Sequence, residues 1–150
     1  VDLSLVIVKQ TWELNGTTPL GSPVTAPAGA TLAFLIYVKN TTAVQVTDVR
    51  INDLLDQTGF DYVSGSLVRT LAALPPADTA ADKQIFDATD PGTGTVLSDV
   101  LDGDAGSALD TGAPAGVDRI TIGAVTGQAN GSLTINAHTT IALRFKVKIK

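Results

Sequence analysis

The chain has 150 residues, 44% of them hydrophobic, a formal net charge of −5, and neither Cys nor Met. A chain this long folds as one domain that buries roughly two thirds of its unfolded surface without disulfides or metals. The acidic balance excludes nucleic-acid binding, which needs basic side chains to displace phosphate counterions, and no apolar run approaches the ~18 residues of a membrane-inserting span.

The opening run VDLSLVIVKQTW alternates with Val1, Leu3, Leu5 and Ile7 on one face, while Val6 and Val8 make the other face apolar as well. Such a ribbon reads as a strand covered on both sides. It is either a central strand of the chain's own sheet or a strand that joins the sheet of a neighbouring subunit. The Gly- and Pro-rich stretch ELNGTTPLGSPVTAPAG follows as a loop. TLAFLIYVKN carries Leu32, Phe34, Ile36 and Val38 on one face and Ala33, Leu35 and Tyr37 on the other, the pattern of a central strand.

In VQVTDVRINDLL the parity of the apolar positions changes, predicting a bulge or a crossing between sheets near Thr47. FDYVSGSLVRT reads as a short strand broken at Gly65. From about 67 to 116 the chain is a loop-rich insertion, low in hydrophobicity and dense in Asp, Ala and Gly. Ile85-Phe86 and Val96-Leu97 are expected to anchor short strands there, and Ser98 to Leu101 a helical turn. DRITIGAV and GSLTINA are further strands. TTIALRFKVKIK alternates strictly, with Ile141, Leu143, Phe145, Val147 and Ile149 inward and Ala142, Arg144, Lys146, Lys148 and Lys150 outward. That charged row reads as a solvated face.

β-Branched and turn-forming residues dominate, and a single Glu (Glu13) stands against fourteen Asp, so strands and loops are favoured over helices. The expected fold is an all-β, immunoglobulin-like β-sandwich of about seven to nine strands with the long insertion, spanning 1–150 as one domain.

Several segments together resemble the prokaryotic cell-surface repeat called domain of unknown function eleven. They are Asp2-Leu3-Ser4 with Lys9, Pro27-Ala28-Gly29, Tyr37 to Asn40, Val44 to Asp48 with Asn52-Asp53-Leu54, and Tyr62 to Ser66. The match covers about the first 66 residues, and the closing GSLTINAHTTIALRFKVKI resembles the family's final hairpin. Asn136-Ala137-His138 stands there in place of a more usual Pro-Gly turn. The resemblance implies an immunoglobulin-like sandwich on a cell surface, repeated many times in large adhesins. One copy implies either a fragment or a subunit that reaches multiplicity by assembling.

The candidate chemistry is sparse. One His (His138) and no Cys supply neither a nucleophilic triad nor a zinc site, so no enzyme activity and no cofactor are expected. Asp99, Asp102, Asp104 and Asp110 offer oxygens to Ca²⁺, yet their spacing lacks the calcium-loop pattern with its closing Glu, and Asp is equally an ordinary turn residue. Lys9 is a candidate amine for an isopeptide bond to Asn136 or Asp53, set against the plain reading of a solvated lysine. Trp12 reads as a lid on a sandwich core rather than a sugar platform.

Asn15, Asn40 and Asn130 each open a glycosylation sequon, a pointer to secretion. Absence of Met reads as a mature or trimmed product. The expected function is an extracellular, cell-surface structural subunit that self-assembles into a pilus-like filament or surface layer by N-terminal donor-strand complementation. Its assembly strand is Val1, Leu3, Leu5, Val6, Ile7 and Val8, and its partners are copies of itself. The alternative is an adhesin that recognises glycans or host and cell-surface proteins through its loops.

Overall fold

The unbroken apolar run of TLAFLIYVKN builds the centre of the molecule. In the computed structural model, which describes residues 5–70, 79–124 and 131–150, this segment is strand β2 (Thr31–Asn40), with Leu32 to Val38 all buried. It lies between β1 (Leu5–Glu13) and β11 (Thr139–Ile149), antiparallel to both. β5 (Phe60–Tyr62) and β6 (Val68–Arg69) pair with the far side of β11, and β7 (Thr95–Val96) closes that edge against β6.

The second layer is made of shorter pieces. β3 (Val46–Val49) and β4 (Ile51–Leu54) pair with β10 (Leu133–Ile135) and β9 (Arg119–Ile122), and β8 (Gly106–Leu109) lies outside β9. The predicted irregularity near Thr47 falls at Asp48, which has φ 55°, and at Arg50, which separates β3 from β4. Opposite it the register slips between Leu133 and Ile135. Gly123 follows β9 with φ +106°, and a Cβ there would stand 2.1 Å from the Val49 carbonyl oxygen, so only glycine fits.

The layers enclose Leu32, Phe34, Ile36 and Val38 of β2, Leu143, Phe145 and Val147 of β11, and Ile51, Ile120, Ile122, Leu133 and Ile135 of the facing sheets. The molecule is an all-β sandwich, with one short helix among the described residues. The described residues hold eleven strand segments against the expected seven to nine, because the bend at Asp48–Arg50 divides one strand, Gly65 divides another, and the insertion adds β8 beside β7, the strand expected at Val96-Leu97. Gly65, at φ 70°, divides FDYVSGSLVRT into β5 and β6 as expected.

Two expectations are overturned inside the insertion. Ile85 and Phe86 belong to a helix, α1 (Asp82–Ala88), rather than to a strand, and Ser98 to Leu101 is not helical. Ala81 donates its backbone N–H to Gln84 Oε1 at 3.0 Å, which satisfies one of the free donors at the start of the helix. The helix lays Ile85 and Phe86 on the outer face of the main sheet, over Trp12, Leu35, Tyr37 and Ala142. The outer face of β11 is therefore not a solvated charged row at its centre. Arg144 is only 6% exposed, because α1 covers it.

Candidate functional site

Strand β1 is an edge strand, with β2 as its neighbour in the sheet. Its ladder fixes which backbone groups are free. The Thr11 carbonyl accepts from Leu20 N–H at 2.8 Å, outside the sheet, so odd-numbered residues of β1 turn their N–H and C=O away from β2. The loop after β1 covers that edge at Thr11. Among the described residues nothing pairs with the outward groups of Leu5, Ile7 and Lys9.

The side chains on this strand are as unusual as its edge. Leu5 is 39% exposed, Val6 44% and Ile7 63%. Leu5 and Ile7 lie opposite Asn40 and Val38 on the sandwich-facing side, and Val6 lies opposite Lys39 on the other. Val8 is half-buried against the Trp12 cluster. The reading of β1 as a central strand of its own sandwich is thus corrected. It pairs in its own sheet, but at the rim, and three apolar side chains are left in water. Val1 and Leu3 lie outside the described residues.

Residues 5 to 13 of β1 and 139 to 149 of β11 run in the same direction, each antiparallel to β2. Leu5 and Ile149 therefore sit at opposite poles of the sandwich. Exposed apolar side chains gather at both. Leu5, Val6, Ile7 and Val44, whose carbonyl accepts from Asn40 Nδ2 at 2.8 Å, mark the first pole. Leu14 (40% exposed) and Val24 (39%) mark the second. The second pole also holds a half-open groove of about 440 Å³, floored by Leu32, Phe34, Phe60 and Ile149 and rimmed by Val24 and Lys150.

Lys9 and Asp53, paired on sequence as possible crosslinking groups, do meet. The ammonium lies 2.8 Å from both carboxylate oxygens and 4.7 Å from the Phe34 ring centroid. With the lysine side chain 43% exposed, the contact is a partly solvated ion pair spanning β1 and β4. Asn136 is elsewhere, accepting from Gln45 Nε2 at 2.6 Å.

The Asp-rich loop is held by its own carboxylates. Asp99 accepts from Tyr62 OH, Ser64 Oγ and Gly65 N–H at 2.6–2.8 Å. Asp104 accepts from the N–H groups of Ser98 and Gly106, and Asp102 from that of Asp104. Asp110 accepts from Gly112 and Gly116. Among the described residues no three His, Cys, Asp or Glu side chains gather as for a metal ion. Burial, followed by its bond to Asp99, pushes the Tyr62 hydroxyl far above the usual phenol range.

Of the sequon residues, Asn15 is exposed in a turn and Asn130 lies outside the described residues. Asn40 is corrected. It is fully buried, with Nδ2 donating to the carbonyls of Val44, Ile135 and Asn136 and Oδ1 accepting from Thr42. The nitrogen that would carry a sugar is the atom that joins β2 to the turn after β10. His138 sits exposed in its turn at φ 50°.

The sequence reading missed the pole-to-pole arrangement, since alternation along a strand gives its faces but not its neighbours. Comparison with models of known families, with curated proteins and with solved structures finds no match. Fold and surface together define a β-sandwich with an edge strand whose first described residues are apolar and exposed.

Proposed function

We propose that this chain is an extracellular structural subunit, of the immunoglobulin-like cell-surface kind its sequence resembles, that self-assembles into a pilus-like filament or surface layer through its N-terminal strand. The observation that carries this reading is the rim of β1, where Leu5, Val6 and Ile7 are exposed beside backbone groups that nothing pairs with among the described residues. Such an edge is a template for strand addition. Contact between unlike poles is heterologous, and a heterologous contact that does not close propagates as a fibre. No catalytic step belongs to this reading.

Electron microscopy and size-exclusion chromatography of the purified chain test it. Polymers are expected, and replacing Leu5 and Ile7 together by Lys is expected to leave folded monomers. Ile7→Pro removes an N–H that points away from β2, so it spares the β1–β2 ladder and is expected to impair assembly equally. Polymers that persist in both variants, or a wild-type chain that stays monomeric, overturn the reading.

The adhesive alternative draws on Val96 and Val100 of the insertion, 52% and 63% exposed. Retention on a glycan array by the monomeric Lys variant would favour it.

A further inference from the structure

The groove at the second pole has a chemistry that this chain's own sequence matches. Its floor is apolar, with Leu32, Phe34, Phe60 and Ile149, and Lys150 stands at its rim with its ammonium 3.0 Å from Asp61. Residues 1–4 read Val-Asp-Leu-Ser. In extended chain they place Val1 and Leu3 on one face, with an acidic side chain between them on the other.

These residues cannot fill the groove of their own molecule. Leu5 and Thr11 are separated by six residues of extended strand, about 20 Å, and Thr11 lines the groove. Four residues extend at most about 14 Å from Leu5. A second copy, stacked pole against pole, brings its residues 1–4 to the groove without that limit, and sets its exposed Leu5 and Val6 against Leu14 and Val24.

We infer that the groove is the acceptor for Val1–Ser4 of the next copy, with Val1 and Leu3 seated on Phe34, Phe60 and Ile149 and Asp2 facing Lys150 at the rim. This rests on the assembly reading and names its acceptor. The contact is directional, since one pole supplies the segment and the other the groove.

The chain has no Cys, so introduced pairs report without background. Leu3→Cys combined with Val24→Cys, oxidised after assembly, is expected to give a ladder of covalent multimers on a denaturing gel. Leu3→Cys combined with Val44→Cys, both at the first pole, is expected to give none. Ala26→Trp, which fills the groove from its lining, is expected to leave folded monomers. Polymers without the Leu3–Val24 ladder, or with a ladder from the Val44 pair instead, overturn the acceptor while leaving assembly standing. An intramolecular Leu3–Val24 disulfide in a monomer overturns it too. A chain that never polymerises removes the assembly reading and this inference with it.

Discussion

The guanidinium of Arg144 lies 4.6 Å from the centroid of the Phe86 ring. It bonds to Asp90 at 3.2 Å and reaches the Phe86 carbonyl at 3.5 Å. A cation in the middle of β11 is thereby roofed by a helix more than fifty residues earlier in the chain. Its head lies over the ring and at the same time reaches a carboxylate at the rim.

Arg144→Ala is accordingly expected to cost about 2–3 kcal/mol in chemical denaturation, since it removes both packing and charge. Arg144→Met keeps the stem and should recover more than half of that loss. Equal losses in the two variants would place the stabilisation in the charge alone.

Phe86 also stacks on Trp12, with centroids 4.4 Å apart and planes 14° from parallel. Trp12 is the only tryptophan in the chain and is fully buried, so the fluorescence comes from one site, beneath the helix. Phe86→Ala should destabilise the fold by about 3–4 kcal/mol and shift the Trp12 emission to longer wavelength while the strand signal in circular dichroism persists. A helix held mainly elsewhere would leave the emission unchanged.

Asn40 supplies the third expectation. Its amide serves three carbonyls, so Asn40→Ala strands them at a cost of about 2–3 kcal/mol, and Asn40→Asp should be worse because it sets oxygens against oxygens. When the chain is expressed in a glycosylating host, mass spectrometry of the folded product should find sugar at Asn15 and none at Asn40.

The pH dependence has two limbs. The Gly92 N–H, and after it Arg144, hold Asp90 below the usual carboxylate range, while Thr58 does so for Asp56 and Thr111 for Asp118. Carboxyls depressed in the fold contribute stability above their unfolded value near 4 and lose it as pH falls through the folded one. At the other end, burial, followed by the bond to Asp82, pushes Tyr37 up to about 12. Its contribution is complete below the unfolded value near 10 and is lost as pH rises toward 12. Denaturation midpoints should be level from about pH 5 to 9 and fall on both sides. Tyr37→Phe should flatten the alkaline limb, and Asp90→Asn the acid one.

The sandwich was legible wherever one segment carried its own period. β2 is long and apolar on both faces, β11 is long and alternates, and both lie where their pattern put them. The helix was not legible, because DKQIFDA has two adjacent apolar residues, which define neither period. Its one local sign is Gln84, three residues past Ala81. The outward row of β11 read as solvated for the same reason, since its cover comes from a distant segment. β1 was half legible. Its two apolar faces were plain, but whether a strand sits at the centre or the rim depends on neighbours that its own residues do not encode.

The direction shared by β1 and β11 has a mechanical consequence. Tension applied between Leu5 and Ile149 pulls two strands apart along their length, with β2 held between them. The hydrogen bonds of both ladders are then loaded side by side and must fail together, rather than peeling open one at a time. A molecule strung this way resists stretching along its long axis far better than one pulled open from a single corner.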